Sequence, residues 1–125
     1  MTVFADEVET YLAGVPVRYR EPLRAVAEVL AAKLGIQPKI SYGIIAFTLS
    51  GKYGIYISGW KDHMSFHGGH FLEPLAETHP ELFTRKGATL WFQDQPPLPE
   101  AAIDAVIAAR LASMPEELIP ENIRG

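Results

Sequence analysis

The stretch of residues 39–67 constrains the fold of this chain more than any other part of the sequence. It contains three segments rich in β-branched and aromatic residues, the first with a break at Gly43, and tight-turn residues at Ser50-Gly51-Lys52 separate the first two. These segments are residues 39–49, 53–60 and 62–67. Because successive strands joined by short turns pair antiparallel, the sequence predicts a three-stranded antiparallel meander.

Two helices are predicted before this stretch. Apolar residues recur at helical spacing in residues 3–13, with Thr2 available as the N-cap. A second helix is predicted over residues 19–34. Since proline is tolerated best in the first turn of a helix, Pro22 places the predicted start of this second helix near Arg20.

Further elements are predicted after the meander. Residues 71–83 carry a short helical pattern, and residues 88–92 have the composition of a last strand. A helix then begins at Glu100, directly after Pro99. Its apolar stripe predicts that Asp104 and Arg110 face water.

Strands grouped between helices, without alternation of strand and helix, indicate the α+β class. We therefore expect an antiparallel sheet of about four to five strands, packed on one face by the N- and C-terminal helices. The length of 125 residues fits one hydrophobic core. Residues 1–114 are predicted to form that single domain, and residues 115–125 a C-terminal tail.

Composition narrows the possible functions. The absence of cysteine excludes disulfides and thiolate chemistry. A net charge of −4, from 15 acidic and 11 basic residues, argues against a nucleic acid partner, which needs a basic face. No apolar run approaches the roughly 20 residues that span a bilayer, and the acidic N-terminus does not resemble a signal peptide, so no membrane partner and a cytoplasmic location are expected. No serine lies in a nucleophile-elbow motif, so no enzymatic activity is expected.

Several short segments, in this order and spacing, resemble the YdhG-like family, a bacterial group of small frataxin-like domains. The match runs from the first helix to about Leu111. The segments are Ile40-Ser41-Tyr42-Gly43, Gly51-Lys52, Lys61-x-His63, residues 85–92 and Pro97-Leu98-Pro99. Much of this family is described only as a domain of unknown function.

The resemblance implies a frataxin-like fold and a possible role as an iron chaperone. Some members are described as delivering ferrous iron for iron–sulfur cluster assembly or haem synthesis, so iron(II) and the proteins of those assembly systems are the implied ligand and partners. In frataxin-like proteins carboxylates of the first helix and the adjoining strand hold iron weakly, and the matching helix positions are Asp6, Glu7 and Glu9. The adjoining strand offers Lys39 and no acid. A structural alternative is that the helix dipole favours acids at these positions.

Three of the four histidines lie within residues 63–70. On a strand, His63 and His67 share a face but are about 13 Å apart, too far to chelate one ion. In one hypothesis, a turn at Gly68-Gly69 brings His70 back towards His67, and Glu73 or Glu77 completes a site for iron, zinc or nickel. The alternative is that His63 caps a sheet face through a hydrogen bond and that the other two are solvated.

Two further hypotheses involve no metal. In the first hypothesis, His63 forms a polar pocket with Lys61 or Lys86. With Tyr42 added, this pocket binds a small molecule or an anion. Trp60 is the aromatic residue that we expect on a binding surface. In the second hypothesis, Leu118 and Ile119 of the tail dock on a partner protein or on a second copy of the chain, which makes the protein a homodimer.

Overall fold

Six antiparallel strands form one open sheet in the structure, a computed structural model that describes residues 3–123 of the chain. The strands are β1 (Lys39–Ser41), β2 (Ile44–Ser50), β3 (Tyr53–Gly59), β4 (Met64–His67), β5 (Thr84–Lys86) and β6 (Thr89–Phe92). Their order across the sheet is β1-β2-β3-β4-β6-β5. The predicted α+β class and antiparallel arrangement are confirmed.

The sheet has more strands than the predicted four to five, for two local reasons. Tyr42 and Gly43 both have positive φ, 54° and 76°, which is the requirement of a two-residue type I′ hairpin turn, so the chain reverses where a strand with a glycine break was predicted. The exposed residues Thr84–Lys86 form an edge strand on β6, with Gly87 (φ 61°) in the turn. Polar edge strands lack the apolar alternation on which the prediction depended.

The helices are α1 (Asp6–Gly14), α2 (Val17–Leu34), α3 (Glu73–Thr78) and α4 (Glu100–Ala112), with 3₁₀ turns at His70–Leu72, Glu116–Leu118 and Glu121–Ile123. Residue Thr2, the predicted N-cap, lies outside the described residues. The predicted start of α2 near Arg20 is wrong, because the helix begins at Val17 and contains Pro22 in its second turn. A proline there removes only the bond from its own nitrogen, and the helix continues.

The helices within residues 3–123 pack on one face of the sheet only. Alternate strand residues, including Ile45, Phe47, Ile57 and Phe66, share a single buried cluster with the apolar stripes of the helices. The helical contributions are Val8 and Leu12 of α1, Tyr19, Leu23 and Leu30 of α2, Leu75 of α3, and Ile103 and Val106 of α4. None of the helices in the described chain is long and apolar enough to cross a membrane.

Arg110 is buried, so the prediction that it faces water is wrong. Only 6% of the residue is exposed. Its Nη1 donates to the carbonyl oxygens of Gly54 (3.3 Å) and Gly68 (3.1 Å), and the guanidinium lies over the ring of Phe71 at 4.0 Å. Burial lowers the pKa of Arg110, although an arginine remains charged near neutrality. The guanidinium thus ties α4 to the start of β3 and the end of β4, which lie side by side in the sheet.

The described part of the tail packs against the helices. Ile119 and Ile123 contact the buried cluster, and Asn122 donates its Nδ2 proton to the carbonyl oxygen of Leu34 at 2.8 Å. That carbonyl belongs to the last turn of α2, where helix carbonyls lack partners within the helix. Leu118 is 40% exposed. The tail therefore completes the end of α2, and its proposed role in docking stays a prediction.

Replacement of Arg110 by alanine should lower the free energy of unfolding by about 2–4 kcal/mol, because two buried carbonyls lose their donor and a cavity is left between Phe71 and Tyr53. Urea unfolding followed by circular dichroism measures this change. Arg18→Ala is the matched control, since the Arg18 side chain is 60% exposed in its pair with Asp94 and should contribute little. Equal losses for the two variants would contradict the anchoring role of Arg110.

Candidate functional site

The face of the sheet opposite the helices carries polar and aromatic side chains. Met64 and Phe66 of β4 point into the buried cluster, so Ser65 and His67 point the other way. Ser65 lies opposite Ser58 on one side and Trp91 on the other. We call this the polar face.

Three rings stack at one end of the polar face. The ring of His63 lies on the indole of Trp91, with centroids 3.5 Å apart and planes at 11°. The indole of Trp60 flanks the same imidazole at 6.4 Å and 25°. We call Trp60, His63 and Trp91 the aromatic stack. Lys86 places its ammonium group 5.2 Å from the centroid of Trp91, so a cation adjoins the stack.

Hydrogen bonds fix the loop that carries His63. Its Nδ1 lies 2.7 Å from Asp62 Oδ1, and this bond is the main reason that the pKa of Asp62 is lowered. The backbone N–H of Trp60 donates to the carbonyl oxygen of His63 at 2.8 Å. Gln93 donates from Nε2 to the carbonyl oxygen of Asp62, while its Oε1 accepts a hydrogen bond from Tyr19 of α2. The loop is therefore tied to both β6 and the helical layer.

Beneath the aromatic stack lies a buried row of polar groups. Trp60 Nε1 donates to Ser58 Oγ at 2.8 Å, and the same hydroxyl lies 2.7 Å from His67 Nε2. Burial, with a smaller effect from nearby His63, lowers the pKa of His67, so this imidazole is neutral at pH 7. The hydroxyl of Ser65 is buried and makes no hydrogen bond to any of residues 3–123.

The structure brings together two of the three residues of the predicted small-molecule pocket. His63 and Lys86 both contact Trp91. Tyr42, which is 89% exposed, lies instead beside Tyr56, with ring centroids 6.0 Å apart and planes tilted by 59°. Tyr42 therefore lies over a different part of the sheet and does not line the stack.

The three predicted iron-binding carboxylates of α1 differ in their surroundings. Glu9 accepts hydrogen bonds from Arg24 Nη1 at 3.0 Å and from the backbone N–H of Phe4 at 2.8 Å. The bond with Arg24 is the main reason that the pKa of Glu9 falls to about 2. Glu7 accepts a long bond, 3.4 Å, from the backbone N–H of Ile40, and Asp6 is exposed. One of the three carboxylates is thus already neutralised by an arginine.

The two histidines proposed for a second metal site have separate partners. His67 faces Ser58, whereas His70 Nδ1 is in contact with Glu73 Oε2. Glu73 in turn pairs with Arg85 at 2.6 Å. No group of three or more histidine, aspartate or glutamate side chains in residues 3–123 is placed to hold one metal ion. Metal binding by His67 and His70 stays a prediction.

Two cavities lie near β6, and only one of them carries a cation beside the aromatic stack. A cavity of about 310 Å³ is lined by Lys86, Trp91, Gln93 and Gln95 among others. The other, of about 400 Å³, lies between α2 and the entry of α4 and has a mainly apolar lining that includes Val26 and Phe92. The first therefore offers a cation and an aromatic ring to a ligand, with the carboxylate of Glu81 also in its lining.

Sequence reasoning missed two members of the candidate site. Trp91 was not named as a site residue, although the buried residues Leu90 and Phe92 on either side place its ring on the polar face. The strand alternation of residues 90–92 could have indicated this. Ser65 carries no sequence signal, because its isolation depends on the rings that close over it. No family model matches the chain, and neither does any curated protein, so the resemblance to the YdhG-like family stays a prediction.

Glu9→Gln should lower the free energy of unfolding at pH 7 by about 1 kcal/mol, because the pair with Arg24 loses its charge. The pKa of Glu9 is lower in the folded protein, so its stabilisation is present above about pH 4.5 and is lost as the pH falls towards 2. The difference between wild type and variant should therefore be smaller at pH 3. Urea unfolding at both pH values measures it.

Asp6→Asn is the control for this measurement, since it removes a carboxylate of the same turn that pairs with no arginine in the described chain. Its effect on stability should be the smaller of the two. A loss for Glu9→Gln that stays constant from pH 7 to pH 3 would contradict the importance of the ionised pair.

Proposed function

We propose that this protein is a binding module for a small anionic molecule, which it holds at the aromatic stack beside Lys86. The observation that carries the proposal is that His63 and Lys86 both adjoin the ring of Trp91 on the polar face. An aromatic platform with a neighbouring cation suits a ligand that has a flat apolar body and a negative group. The adjoining cavity of about 310 Å³ falls within the range of small-molecule sites.

Charge favours an anion at this position rather than a metal ion. Lys86 is exposed and its ammonium group has no acidic partner among residues 3–123, and the nearby Arg85 is only partly neutralised by its pair with Glu73. Two carboxylates lie nearby: Asp62, which is hydrogen-bonded to His63, and Glu81, which lines the adjoining cavity. The anion would therefore bind directly beside the ammonium group of Lys86, the cation that adjoins Trp91.

The iron-chaperone hypothesis, which came from the resemblance to the YdhG-like family, remains a separate proposal. Exposed carboxylates of Asp6 and Glu7 in the first turn of α1 are compatible with weak ferrous iron binding. The pairing of Glu9 with Arg24 removes a third ligand unless iron displaces the arginine. The contacts at the aromatic stack give the anion proposal more support, and a frataxin-like assignment of the fold is not needed for it.

A planar carboxylate tests the proposal. Nicotinate, titrated calorimetrically in the presence of EDTA, should bind the wild-type protein, and Lys86→Gln should weaken binding about fivefold because the ligand loses its cation. At 100 times its dissociation constant the ligand should stabilise the fold by about 2.7 kcal/mol. Lys52→Gln is the matched control, since Lys52 lies 5.6 Å from a different ring, that of Tyr53, and affinity should be unchanged.

Two results would contradict the anion-binding proposal. One is the same affinity for nicotinate in wild type and Lys86→Gln. The other is stabilisation by ferrous iron alone that EDTA abolishes and that is lost when Asp6→Asn and Glu9→Gln are combined. The second result would support the iron-chaperone hypothesis instead.

A further inference from the structure

We infer that the imidazole of His63 is an internal plug, which occupies the slot where the planar ring of a heteroaromatic carboxylate binds between Trp60 and Trp91. The inference rests on the proposed function and names the class of ligand. It assigns His63 a competing role, in which its ring must leave before the ligand ring can enter.

The geometry of the stack is that of an occupied ring site. The imidazole is nearly parallel to both indoles, at 11° to Trp91 and 25° to Trp60, and its centroid lies 3.5 Å from that of Trp91. This distance is the contact thickness of two stacked rings. The imidazole belongs to the loop between β3 and β4. It is therefore part of neither β4, which carries Ser65, nor β6, which carries Trp91.

The imidazole takes no part in the hydrogen bonds that fix the loop backbone. Apart from stacking, its side chain is held by one hydrogen bond, to the carboxylate of Asp62, whose side chain is 78% exposed and accessible to water. The loop itself is held by the bond from Trp60 N to His63 O and by the bond from Gln93 to the carbonyl oxygen of Asp62. Rotation about the side-chain torsions of His63 breaks neither of these two bonds.

Ser65 provides a reason for a ligand to replace the plug. Ser65 is 1% exposed, and its hydroxyl has no hydrogen-bond partner in the described chain. A buried polar group without a partner is unfavourable. Ser65 lies two residues after His63 on the same face and opposite Trp91 in the sheet. A ring heteroatom stacked on Trp91 would accept the hydrogen bond that the hydroxyl lacks in the plugged state.

The ligand class follows from these groups together. A flat ring matches the two indoles, a ring heteroatom matches the Ser65 hydroxyl, and a carboxylate matches the ammonium group of Lys86 beside Trp91. The probe is nicotinate, which has all three features. Cyclohexanecarboxylate keeps the charge without the flat ring and serves as its control.

Two substitutions of His63 in the full-length protein separate a plug from a direct contact. If the plugged state holds about nine-tenths of the molecules, His63→Ala should bind nicotinate about tenfold more tightly than the wild type, because the competing ring is gone. His63→Phe keeps a ring in the slot and should show no gain in affinity.

Ser65→Ala, added to His63→Ala, should weaken nicotinate binding about fivefold. His70→Ala, which removes an imidazole outside the stack, should leave affinity unchanged.

Isothermal titration calorimetry measures these affinities, and thermal unfolding confirms that each variant is folded. Loss of affinity in both His63→Ala and His63→Phe would overturn the plug and show that the imidazole contacts the ligand, while the proposed function stands. Equal affinity for nicotinate and cyclohexanecarboxylate would also overturn the inference that a flat ring binds between Trp60 and Trp91. No binding of either compound by the wild type or by any variant would overturn the proposed function together with the inference.

Discussion

The packing of all the described helices on a single face of the sheet is the constraint on which the rest of the structure depends. Apolar residues of α1, α2, α3 and α4 meet one set of alternate strand residues in one buried cluster. Arg110 completes this layer, because its guanidinium links α4 to the carbonyl oxygens of Gly54 and Gly68 at neighbouring strand ends. Because the helices cover only one face of the sheet, the polar face is covered by side chains of the strands and loops themselves.

The polar face is closed by rings rather than by a helix. Trp60, His63 and Trp91 stack on the same face as Ser58 and Ser65, both of which are almost fully buried although they point away from the helices. Ser58 has partners in Trp60 and His67, whereas Ser65 has none in the described chain. A cover made of side chains from a loop and from β6 opens more readily than a packed helix, which makes this end of the sheet suitable for a ligand.

The sequence was sufficient for features that depend on local periodicity and insufficient for those that depend on tertiary contacts. Alternation and turn residues predicted the α+β class and the antiparallel hairpins. The burial of Arg110 could not be predicted, because its partners are carbonyl oxygens of residues 54 and 68, distant in sequence. His63 and Lys86 were predicted in one pocket, but the ring of Trp91 that joins them was not, and Tyr42 of that predicted pocket lies beside Tyr56 instead.

The most direct test of a binding site at the aromatic stack is a nicotinate titration followed by the indole N–H resonances, of which the two tryptophans give one each. The experiment is performed with EDTA present. The account predicts that the Trp60 and Trp91 signals both shift saturably with one dissociation constant, while amide signals of α1 remain in place. Indole signals that do not move, while the protein binds nicotinate or responds to ferrous iron through α1, would contradict it.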